Sequence, residues 1–177
     1  MARTLLSIDL ILQLLGKTPA TLKELAQSFD DDELRHRIEP NEWSLVEVLA
    51  HLRASADIRG DQRIERMLTH DEPTFRTDSP RNWSLAADYA QVPFGESWAA
   101  YSKQRERLLG SLLPLSPEEW KRGTVLTGIR PVRLETVHSE ADSLVRHEVR
   151  HLQQLKRIAA QLQSRGARFS GIDVTPR

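Results

Sequence analysis

The sequence predicts an all-α protein, a four-helix bundle with short extra helical turns, and three observations carry that prediction. The helical period of apolar residues recurs in almost every long segment, with no repeat and no low-complexity linker. Four of those segments are long enough to serve as bundle helices, and the connections between them are unequal. The chain has 177 residues and no Cys, enough length to bury a core without disulfides or a structural metal, so residues 1–177 read as a single domain.

The first helix is expected over residues 4–15, with Gly16 and Pro19 ending it before a shorter helical piece, TLKELAQSF. Its apolar run LLSIDLILQLL is not read as a signal sequence, because Asp9 interrupts it and no convincing small-residue cleavage site follows. Asp30 to Asp32 introduce a brief turn, DDELRHRI, that Pro40 closes. In NEWSLVEVLAHLRASADI, Ser44 and Glu47 have the spacing of a capping box, so a second long helix should start there and run to about residue 68. Gly60 weakens the expectation that it is straight. Residues 70–95 are rich in Pro, Asp, Ser and Asn around HDEPTFRTDSPRNW and read as a connection with one helical turn.

A third helix is expected over residues 96–113, with Trp98, Leu108 and Leu112 facing inward and Pro114 closing it. Ser116 then caps a short turn, and GTVLTGIRPVRL has room for an extended piece. From Leu134 a fourth helix carries Val137, Ala141, Leu144, Val145, Leu152, Leu155, Ile158, Ala159 and Leu162, a stripe roughly eight turns long.

Charge excludes one class of partner. The 25 basic and 25 acidic residues cancel, where a nucleic-acid footprint normally shows as excess Lys and Arg. No apolar run approaches the roughly 18 residues of a membrane span, and a cytoplasmic location is expected.

The chemistry-bearing feature is HEVRH at residues 147–151. Random placement of six His in this chain gives roughly 0.2 pairs at that spacing, so the pair by itself is weak. On a helix, however, His147 and His151 project from one face, and Leu144, Leu155 and Ile158 continue that face inward. Two readings stay open for them, metal ligands or half-buried core histidines. A zinc-protease helix would need Glu148 as general base and a further ligand downstream, and no His or Glu follows His151. Any third ligand lies upstream. His36 and His70 fall near helix ends or loops, and His138, nine residues before His147, sits nearly on the opposite face. His51 lies mid-helix among Val48, Leu49 and Leu52, which makes His51, His147 and His151 the favoured set. Glu148, about 100° round the helix from His147, is the candidate base, and Gln154, one turn past His151, is the candidate to orient a ligand or its water. Arg53, Arg59, Arg146 and Arg150 are candidates to contact an anionic substrate, and Trp43 to close the pocket floor.

WSLVEVLAHL with its Trp43, Ser44 and His51, QRERLLGSLLPLSPEEW, and HEVRHLQQL with Gln154 together resemble the DinB superfamily, including the YfiT-like metal-dependent hydrolases. The resemblance spans nearly the whole chain. It implies up-down-down-up topology, a divalent metal on three His with water completing the shell, and a homodimer. Zinc or nickel is expected first, with manganese or iron as further candidates. Three neutral imidazoles with an open position suit hydrolysis of a small-molecule substrate, and equally the binding of a low-molecular-weight thiol for S-transfer. The other class of reading is a non-catalytic, dimeric, stress-associated metal or ligand binder. On ordinary imidazole values, metal affinity is expected to fall as pH drops through about 6.5.

Overall fold

The computed structural model describes residues 4–76, 79–128 and 132–169. Helix α1 (Ile8–Ala26) starts at Ser7, whose hydroxyl accepts the Leu10 N–H. It buries Ile11, Leu15, Thr18, Leu22 and Ala26 along one stripe, and that stripe passes straight through Pro19. The expected break at Gly16 and Pro19 does not occur. An interior proline forfeits one backbone hydrogen bond and costs about 3 kcal/mol. Burying a side chain such as Leu22 returns about 1.5–3 kcal/mol, and beyond the proline Leu22 and Ala26 are buried and Leu25 is partly buried. The Pro19 carbonyl also accepts the Trp98 indole N–H at 2.8 Å.

Helix α2 (Asp31–Arg35) carries a capping box between Asp30 and Glu33, and α3 (Leu45–Ser55) carries the expected one between Ser44 and Glu47. From α3 the chain continues without a break through a π-helical stretch (Ala56–Ile64) into α4 (Glu65–Thr69). Gly60 lies in that stretch. A Cβ there would stand 3.2 Å from the Leu108 side chain, so glycine permits the close approach of the neighbouring helix α6 (Phe94–Leu112).

Contacts between the long helices fix their directions. Along α7 (Val137–Phe169), His147 faces His51 while Glu140 faces Arg59, so α3 with its π extension runs antiparallel to α7. Helix α1 runs parallel to α7, because the Leu6 N–H reaches Asp142 and Thr18 lies beside Glu148. Asp57 meets Gln104 and Gly60 meets Leu108, which makes α6 parallel to the second rod. The topology is up-down-down-up, as expected.

Two parallel neighbours in sequence need a return crossover of about 35 Å, roughly the length of the rod itself. Residues 70–93 supply it, which accounts for the length of that connection. It holds more structure than the single turn expected: a strand β1 (Thr74–Arg76) and an 11-residue helix α5 (Ser79–Tyr89). Arg35 pins its end by donating to the Ala90 carbonyl at 2.9 Å, and the Arg53 guanidinium lies 3.9 Å over the Tyr89 ring.

Between α6 and α7, Ser116 caps the expected turn, and the extended piece is a hairpin, β2 (Gly123–Thr127) and β3 (Arg133–Thr136). Residues 129–131 of that segment, like 77–78 of the crossover, lie outside the described residues. Strand β1 pairs parallel to β2, and β2 antiparallel to β3, with Val125 opposite Leu134. Leu134 is therefore a strand residue, 82% exposed, and not the start of the fourth helix. The helix starts three residues later because Thr136 and Ser139 cap each other: Ser139 Oγ accepts the Thr136 N–H and Thr136 Oγ1 accepts the Ser139 N–H. From Val137 onward the predicted stripe is buried, except Leu152, which is half-buried. Among the described residues no helix is long and apolar enough to cross a membrane.

Candidate metal centre

Residues 147, 151 and 154 of α7 share one face, and the antiparallel α3 sets His51 against it. One ring nitrogen each from His51, His147 and His151 lie within 4.8 Å of one another. The Nε2 atoms of His51 and His147 are 2.9 Å apart. The His151 Nδ1–H donates to Gln154 Oε1 at 2.9 Å, which leaves the His151 lone pair on Nε2. The structure brings together the three histidines favoured above and sets Gln154 on the His151 ring.

The rings are half-buried, and burial is the main reason they resist protonation. His51 is lowered to about 4, by burial and then by the charge His151 would carry. His147 is lowered to about 3, by burial first and then by His151, His51, Arg59 and Arg150. Burial also lowers His151, with Gln154 opposing it. All three imidazoles are neutral at neutral pH, the state that offers lone pairs to a cation.

Two indoles wall the cluster. Trp43, just before the Ser44 cap, stacks on His151 with centroids 6.1 Å apart and planes 14° from parallel, and stands 5.0 Å from His51. Trp83 arrives from α5, 5.7 Å from His51 and edge-on to Trp43 at 5.2 Å, and is 54% exposed. Trp43 was legible in the sequence. Trp83 was not, because it sits in the polar crossover, and its one signal was a large aromatic in a segment otherwise of loop composition.

Glu148 does not join the imidazoles, which corrects its candidacy as the base. Its position on α7 turns it about 100° away from His147, into the interior where Arg105 of α6 donates to its Oε1. Both side chains are 2% exposed. Burial pushes the Glu148 carboxyl above the usual range while the Arg105 charge opposes that shift. The arginine candidates also divide. Arg59 is taken up by Glu140 (2.9 Å) and Ser143 (2.7 Å), and Arg146 by Asp142 and the Thr4 carbonyl. Arg53 covers Tyr89. Arg150 is exposed on the rim, where its charge acts on His147 and His151. His138 bonds the Leu6 carbonyl, His70 the Thr69 hydroxyl, and His36 caps the end of α2.

An up-down-down-up bundle with three converging imidazoles, two from one turn of its last helix, defines a class of candidate metalloprotein. The chain belongs to the DinB superfamily, whose family model matches residues 14–155. YfiT of Bacillus subtilis (strain 168) is 24% identical over 156 residues, covering 84% of each chain. The structure of that protein, described as a probable metal-dependent hydrolase with an unusual four-helix bundle topology, has a TM-score of 0.78 at 22% identity, over 92% of this chain and 93% of that one. The mycothiol-dependent maleylpyruvate isomerase shares the fold with a TM-score of 0.68 at 14% identity, over 85% of this chain and 61% of that one.

Proposed function

We propose that the protein is a metal-dependent enzyme in which His51, His147 and His151 hold one divalent cation for chemistry on a small organic substrate. The observation that carries this reading is the convergence of three neutral imidazoles from two helices, with nitrogens within 4.8 Å of one another. Zinc and nickel suit an all-imidazole set, with manganese and iron as weaker fits to nitrogen donors. Bound there, the cation supplies Lewis acidity that brings water or a thiol toward deprotonation near neutral pH. Gln154 holds the His151 ring in one tautomer. Trp43 and Trp83 limit the approach of bulk water and offer flat apolar surface to a substrate.

Hydrolysis is the activity ascribed to YfiT. Transfer to or from a low-molecular-weight thiol is the second reading, and two observations favour it. No carboxylate joins the three imidazoles among the described residues, and the exposed Arg150 places positive charge beside His147 and His151, which suits an anionic thiol. The same reading includes a homodimer in the cytoplasm, to be checked by light scattering and fractionation.

The test is metal analysis of the purified protein, followed by turnover assays over esters, amides and anionic thiols with electrophilic acceptors. Stoichiometric metal with turnover lost on His51→Ala supports the enzyme. Stoichiometric metal without any turnover assigns a non-catalytic binder, and no stoichiometric metal overturns the reading.

A further inference from the structure

The interior of the bundle holds an ion pair, buried on both sides, that the proposed chemistry does not use. Arg105 of α6 donates through Nη2 to Glu148 of α7 and to the Tyr101 hydroxyl, the latter at 2.9 Å. Arg105 Nε and Nη1 are buried without a hydrogen-bond partner. A buried ion pair whose polar atoms are partly unsatisfied adds little net stability, since desolvation offsets the Coulomb gain. What it can do is distinguish one arrangement of the helices from its alternatives, as buried polar residues do in coiled coils.

Helix α7 needs such a device. Its apolar stripe is leucine, isoleucine, valine and alanine at helical spacing, which by itself defines register weakly, and a slide of one turn would take the buried acids Glu140, Asp142 and Glu148 from their partners. That slide would strand the Arg105 charge in the core. The rotation about the helix axis matters as much. Taking Glu148 as the reference direction, His147 lies about −100°, His151 about −60° and Gln154 about −120° round the helix. When Glu148 faces Arg105, all three are therefore turned to one side, toward His51.

We propose that the Arg105–Glu148 pair is a positioning clamp, fixing the rotation and register of α7 so that His147 and His151 meet His51. Its effect on metal affinity rests on the metal reading above, while its effect on ring geometry does not.

The experiment uses the full chain with Arg105→Met combined with Glu148→Met, which removes both charges and keeps apolar volume, and Glu148→Gln, which keeps an acceptor for Arg105. Three quantities are read: zinc affinity by chelator competition, the visible spectrum of the cobalt form, and the nuclear Overhauser contact between the His51 and His147 rings in metal-free protein. The double variant is expected to stay folded with an unchanged or higher melting temperature. Its zinc affinity should fall about 10- to 100-fold, the range for groups that orient metal ligands, with an altered cobalt spectrum and a weakened ring contact. Glu148→Gln should hold affinity within about threefold by the same reasoning. A double variant that keeps both ring contact and cobalt spectrum overturns the clamp, as does one that fails to fold, which would make the pair a stability element. If wild type binds no zinc, the functional reading fails, and the ring contact alone decides the clamp.

Discussion

The Nε2 atoms of His51 and His147 face each other at 2.9 Å across the interface of α3 and α7, with no chain connection nearer than 96 residues between them. Two neutral imidazoles at that distance either share one proton or turn both lone pairs to one cation. Substituting either should remove the site. His51→Ala, His147→Ala and His151→Ala are each expected to weaken zinc binding by at least about 100-fold, since a ligand and its geometry are both lost. His138→Ala, whose ring bonds the Leu6 carbonyl, should leave affinity unchanged. Equilibrium dialysis against zinc and nickel measures all four, and tight binding by His51→Ala would show the site to be elsewhere.

Burial moves the acid dependence below the window expected from ordinary imidazole. In the folded chain His51 and His147 bind protons only near about 4 and about 3, whereas the unfolded chain binds them from about 6.5 downward. Between those values the unfolded state carries more protons, so stability present above pH 6.5 is lost as pH falls toward 4. Thermal melts of metal-free protein should show that loss, and His147→Ala should blunt it. For binding, three unshifted sites would lose about a thousandfold in affinity at pH 5.5. The folded site should lose no more than about tenfold there and fall steeply only below about pH 4.

Trp43 and Trp83 stand close enough to the imidazoles to report on them. Nickel or cobalt binding should quench tryptophan fluorescence, and Trp43→Phe with Trp83→Phe should remove most of that quenching, since Trp98 bonds the Pro19 carbonyl and Trp120 packs edge-on to His138. A quench of the same size in the double variant would place the ion elsewhere.

Pro19 interrupts a helix that continues past it. Pro19→Ala restores one backbone donor and should raise stability by about 1–3 kcal/mol, which is about 2–4 °C of melting temperature for each kcal/mol in a chain of this size. The Trp98 bond to the residue 19 carbonyl should persist, because that acceptor is backbone. A melting temperature that falls would mean the ring itself packs against something essential.

Much of this protein was determined by local sequence. The caps at Ser44 and Ser116, the inward stripe from Val137 to Leu162 and the one-turn spacing of His147 and His151 are properties of short segments, and they appear where the pattern places them. The apolar residues around His51 singled it out among the upstream histidines, and family likeness extended the reading to topology. Tertiary structure decided the rest, because each remaining feature depends on groups distant in sequence. Helix α1 passes Pro19 because residues beyond it find a core to fill. Leu134 leaves the helix because it finds Val125 as a strand partner. Trp83 reaches His51 because parallel neighbouring helices force a long crossover, and the crossover must lie against the bundle. Periodicity could place Glu148 about 100° from His147, but only the packed bundle set Arg105 in that direction and so decided that this carboxylate faces the core instead of the imidazoles.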